Sequence, residues 1–82
     1  MAHTIYIEMR EGEQWRDVAN AFLTFCKQEK QITDAGCHEG DAEPTPVVGK
    51  RYAAISVPHH RAYLIGLLRE WALRERRTIK TL

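Results

Sequence analysis

The chain has 82 residues, 44% of them hydrophobic and 28% charged, with a formal net charge of +1. That is the composition of one small globular domain spanning residues 1–82, and it excludes a collagenous or intrinsically disordered chain. No apolar run approaches the ~18 residues of a membrane span, and Met1 to Arg10 alternates instead of forming a signal peptide. A cytoplasmic protein without membrane association is the expectation.

The near-neutral total conceals a split. Residues 1–46 carry 4 basic and 9 acidic side chains, whereas residues 47–82 carry 8 basic and 2 acidic. Asymmetry of this kind points to a charged partner or to self-association of unlike patches. Of the two cysteines, Cys26 falls in an apolar helical pattern and Cys37 in a polar stretch. Without a secretion signal, both read as free thiols in a reducing compartment.

In chain order, the first element is a half-buried strand over residues 3–9. Ile5, Ile7 and Met9 share one face, and Thr4, Tyr6 and Glu8 the other. Trp15, Val18, Ala19, Phe22, Phe25 and Cys26 then recur at three- and four-residue steps. This spacing predicts an amphipathic helix ending near Thr33, with Gly36 as its stop. Residues 34–46 contain Gly36, Gly40, Pro44 and Pro46 and read as a polar loop.

Gly49-Lys50 lies between two β-prone segments, as in a type II′ hairpin. Its first arm is expected at about residues 44–48, a proline-containing edge strand. The second runs from Arg51 to Val57, with Ala53, Ile55 and Val57 inward and Tyr52, Ala54 and Ser56 outward. Pro58 is expected to open a second helix reaching about Arg76, with His60, Leu64, Leu67, Leu68 and Trp71 as its inward stripe. Thr78 to Leu82 is either a short last strand or a tail.

This βαββαβ order predicts an α+β fold of the ferredoxin-like split βαβ kind, two helices on one face of an antiparallel sheet. The strand order would be 4-1-3-2, with the two best strands central.

Function is less constrained. No nucleophile elbow, His-Glu-x-x-His, P-loop or dinucleotide glycine pattern occurs. The expectation is therefore a non-enzymatic protein with no cofactor. The assumed topology gathers His3, Cys37, His38, His59 and His60 at one end of the sheet. Imidazole and thiolate suit zinc or copper, which makes Cys37, His38, His59 and His60 candidate metal ligands.

Tyr6 and Tyr52, with Lys50 and Arg51 beside them, would project from the sheet face that the helices leave open. Aromatics with basic neighbours can stack bases and hold phosphates. Ile5-Tyr6-Ile7 resembles the first-strand motif of RNA-recognition modules, and Lys50 to Ile55 resembles part of their third-strand motif. Arg51 stands where that motif has glycine, and Ala54 and Val57 where it has aromatics. The resemblance is one of sheet geometry, and it implies RNA or single-stranded nucleic-acid binding as an alternative function.

The leading reading rests on the outer side of the second helix. Ala62, Ile65, Gly66, Arg69, Leu73 and Arg76 share that side. Small residues that allow close approach, apolar residues and arginines together read as a protein-binding surface. The expected function is that of a small adaptor or inhibitor acting by protein–protein binding. Mobile-element and phage accessory proteins are often of this size.

Overall fold

The computed structural model describes residues 2–33, 35–36, 38–41 and 48–81. Strand β1 spans Ala2–Met9, helix α1 Trp15–Glu29 and strand β2 His38–Glu39. Strand β3 spans Arg51–Pro58, helix α2 Tyr63–Arg74 and strand β4 Ile79–Thr81. The four strands form one antiparallel sheet in the order β2-β3-β1-β4. The two alternating segments thus take the centre, and the two shortest strands take the edges.

The core follows from the two periodicities. Ile5 and Ile7 of β1 and Ala53, Ile55 and Val57 of β3 all lie on one sheet face, which period-2 alternation dictates. Val18, Ala19, Phe22, Phe25 and Cys26 of α1 are buried, as are Leu64, Leu68, Trp71 and Ala72 of α2. Most of these side chains form one contiguous cluster. Phe22 meets Trp71 edge-on at 5.9 Å, joining the helices. Burial pushes the Cys26 thiol above its ordinary pKa, so it behaves as a small hydrophobe.

Several boundaries differ from expectation. Helix α1 stops at Glu29, four residues short of Thr33, and not at Gly36. Gln31 takes a left-handed conformation (φ 57°), which turns the chain so that the Ile32 amide returns to the Cys26 carbonyl at 3.0 Å. The gain is half-burial of Ile32 against the core.

Strand β2 lies at His38–Glu39, inside the stretch expected to be loop. Most of the expected arm at 44–48 lies outside the described residues, and Val48 is a fully exposed turn residue. Gly49 has φ 82°, the region in which a glycine is needed.

Pro58 ends β3 instead of opening α2, and a single 3-10 turn over His59–Arg61 follows. His60 is exposed and is not part of the inward stripe.

Helix α2 stops at Arg74 in a Schellman arrangement. The Arg77 amide donates to the Ala72 carbonyl at 2.8 Å and the Arg76 amide to the Leu73 carbonyl at 3.1 Å, with Arg76 left-handed at φ 56°. Arg76 therefore leaves the helical row to which the sequence assigned it.

The turn delivers Arg77 inward, where its side chain is only 3% exposed. Its Nη1 and Nη2 donate to Oε1 and Oε2 of Glu13 at 2.7 and 2.8 Å. Nη1 also reaches the Glu8 carbonyl at 3.1 Å. Its guanidinium lies 5.2 Å from the centre of the Trp71 ring. Glu13 Oε1 accepts in addition from the Arg10 amide at 2.6 Å.

Arg77 holds the Glu13 carboxyl down at about 2, from an ordinary 4.5. A carboxyl whose pKa is lowered by folding contributes stability that is fully present above pH 4.5 and is lost as the pH falls toward 2.

Arg77→Ala leaves Glu13 without its main partner and is expected to cost about 3–5 kcal/mol, measured by urea unfolding at neutral pH. In Glu13→Gln, stability at neutral pH falls, and the acid decline between pH 4.5 and 2 becomes shallower than in wild type. A parallel acid decline would show that Glu13 is not a main source of the pH dependence.

Candidate functional site

The outer side of α2 is built by its own pitch. Residues four apart stack along one side of a helix about 6 Å from each other. Ile65, Arg69 and Leu73 make such a row. Ile65 is half-buried against the core, Arg69 is exposed, and Leu73 is 80% exposed. Ala62 and Gly66 are exposed beside them, and a Cβ at Gly66 would meet nothing, so the helix is open to approach there. Of the six residues that the sequence assigned to this face, Arg76 is displaced by the helix end described above.

The row faces a groove whose other wall is the start of β1 at one end and the edge strand β4 at the other. One cleft of ≈ 390 Å³ is lined by Ala2, His3, Thr4, Ile5, Ile65, Arg69 and Thr81. A second, of ≈ 410 Å³, is lined by Arg69, Leu73, Arg77, Ile79 and Thr81. Arg69 and Thr81 belong to both, so the clefts adjoin. Arg69 makes no ion pair among the described residues.

The sequence missed the contribution of β4, because a three-residue strand carries too little pattern to be read. The run of basic residues around Arg77 gave no sign that one of them turns inward.

The other sheet face is less open than expected. Tyr6 is 2% exposed and Ala54 7%, although both point away from the helices. Gly40 closes over this face: a Cβ there would lie 3.1 Å from the Thr4 methyl and 3.6 Å from Ala54 and Ser56. The enclosed ring of Tyr6 cannot receive a base.

Tyr52 is half-buried under the Lys80 ammonium, which lies 5.6 Å from its ring centre. Lys50 faces Glu8 at 3.8 Å. Arg51 donates to the carbonyls of Glu13 and Arg10 at 2.9 and 3.2 Å. The residues expected to hold phosphate are thus engaged within the chain.

At the histidine end, His3 and His59 do meet, Nε2 to Nδ1 at 3.4 Å. His38 is exposed on β2 opposite Ser56, and His60 is exposed on the 3-10 turn. Cys37 lies outside the described residues. Among the described residues, no three His, Cys, Asp or Glu groups are placed to hold a metal ion. No helix among them is long and apolar enough to cross a membrane.

No family model, curated protein or solved structure matches the chain.

Tyr6→Ala is expected to cost about 3–5 kcal/mol, since it removes a fully enclosed aromatic ring. Thermal unfolding with and without an oligonucleotide measures both roles. A variant of unchanged stability that loses oligonucleotide binding would return Tyr6 to the nucleic-acid reading.

Proposed function

We propose that this is a non-enzymatic accessory protein, an adaptor or inhibitor, that docks another protein through the outer side of α2. The observation that carries the reading is the pairing of Leu73, 80% exposed, with Arg69, a cation without an ion pair among the described residues, along one groove. An exposed leucine alone is ordinary. A leucine and an arginine on one wall of a continuous groove have the composition of an interface centre, where apolar and arginine side chains are enriched.

We also infer that the fold is the ferredoxin-like split βαβ. Its support is the β2-β3-β1-β4 order, which reads 4-1-3-2 from the opposite edge. Nucleic-acid binding through Tyr6, Lys50, Arg51 and Tyr52 gains no support from the enclosed ring and engaged cations. Metal binding by Cys37, His38, His59 and His60 gains only the approach of His3 to His59, and a thermal-shift titration with zinc addresses it.

The test is a comparative pull-down from the native host with wild type and Ile65→Glu/Arg69→Glu as baits, both checked for folding by circular dichroism. The expected result is a partner retained by wild type and lost on the variant, with affinity reduced at least tenfold. Equal retention by both baits would reject the α2 face as the docking surface.

A further inference from the structure

The groove beside α2 has a second property, set by the backbone of β4. Glu8 donates its amide to the Thr78 carbonyl at 2.9 Å, and β1 opposes β4 with Tyr6 across from Lys80. In an antiparallel ladder, alternate residues turn their N–H and C=O to the same neighbour. Thr78 and Lys80 therefore address β1, while Ile79 and Thr81 turn their N–H and C=O outward. Among the described residues no strand pairs with that outer edge. The side chains of Ile79 and Thr81 line the groove under α2.

Resting on the docking face proposed above, we propose that its partner is an extended segment that adds as a strand to the free edge of β4. The segment carries Asp or Glu between two apolar residues at alternate positions. The spacing argues for this form. Ile65, Arg69 and Leu73 rise about 6 Å per step along the helix. Alternate side chains of a strand rise about 6.6 Å. A strand along β4 therefore presents successive same-side residues in step with the helical row, so that apolar side chains meet Ile65 and Leu73 and a carboxylate meets Arg69.

Charge selects this occupant over a second copy. Symmetric pairing of β4 with its own copy would bring two Arg69-bearing edges together, and β4 reads Ile79-Lys80-Thr81, with no acid to offer. A carboxylate at the central position instead supplies a charge-assisted contact to an arginine that lacks one among the described residues. Main-chain pairing gives affinity and the alternate side chains give specificity, as in other strand-addition complexes.

The experiment uses the full chain and the synthetic peptide acetyl-Ser-Val-Thr-Glu-Thr-Val-Ser-amide, titrated to about millimolar and followed by amide chemical shifts. Three further peptides accompany it: one with Lys in place of Glu, one N-methylated at the Glu nitrogen, and one N-methylated at the Thr after it. In antiparallel register, residues opposite Ile79 and Thr81 share their face and turn their own N–H to β4. The Glu amide is thus needed, and the neighbouring Thr amide points away.

The expected result is shifts at Ile79, Thr81 and the α2 row. Binding should weaken about tenfold on Glu to Lys, be lost on N-methylation at Glu, and be unaffected by methylation at Thr. Arg69→Glu should invert the preference in favour of the Lys peptide.

Binding indifferent to N-methylation would overturn strand addition while leaving α2 as a docking face. Equal affinity for the Glu and Lys peptides would overturn the carboxylate. No binding by any peptide would overturn the inference as a whole, with the pull-down still deciding the face itself. A dimeric mass by light scattering that becomes monomeric in Arg69→Glu would identify a second copy as the occupant and overturn it as well.

Discussion

Glu13 is the point at which the chain is tied. It sits in the short connection between β1 and α1, and three groups from three parts of the sequence converge on it. Arg77, at the exit of α2, grips both carboxylate oxygens. The Arg10 amide, at the end of β1, takes one of them. Arg51, at the start of β3, holds the Glu13 carbonyl. Arg10 in turn contacts the carbonyl and carboxylate of Glu75, beside the α2 terminus. The ends of β1 and α2 and the starts of α1 and β3 are thus fixed to one residue. A charged pair taken this far from water repays its desolvation only when its geometry is good and its remaining donors are used. Two short bonds to Glu13, a third to Glu8 and a face on Trp71 meet that condition for the guanidinium termini. The Arg77 Nε, without a hydrogen-bond partner among the described residues, is the part of the cost left standing.

This arrangement changes the meaning of the charge split. An acidic first half and a basic second half suggested an external partner of opposite charge. In the fold, the halves answer each other. Glu8 faces Lys50, Glu13 faces Arg77, and Glu29 faces Arg74 at 2.7 Å. The exposed pairs contribute little stability each, since solvent screens them and their side chains lose freedom. Their effect is to remove charges from the surface available to a partner. Arg69 in the α2 groove is one of the charges left without an ion pair among the described residues.

The parts of the fold that were legible in the sequence are those where burial imposes a period over many residues. Strands β1 and β3 and both helices show such a period, and their core residues lie where it places them. The rest depends on single residues acting across the chain. Two-residue β2 and three-residue β4 are strands only because a neighbour pairs with them. The helix ends at Gln31 and Arg76 are non-glycine residues in left-handed conformations, which no preference for glycine could reveal. Tyr6 was assigned to the correct face, but alternation gave no sign that the ring would be enclosed there. Arg77 reads like any arginine in a basic run until the Schellman turn directs it inward. Alternation and helical pitch give the face of a side chain, and tertiary contacts decide what covers that face.

The same turn links the stable core to the candidate site. Only Glu75 to Thr78 separate α2 from β4, and within them Arg76 reverses the chain while Arg77 is clamped to Glu13 and Glu8. The clamp fixes the height and register of β4 beneath the Ile65–Arg69–Leu73 row. A groove whose two walls are held this way spends little of its binding free energy on ordering itself, which favours affinity from a small contact. Arg77, which itself lines the second cleft, thereby holds β4 against α2. The ion pair that ties the exit of α2 to the β1–α1 connection therefore also sets where β4 begins.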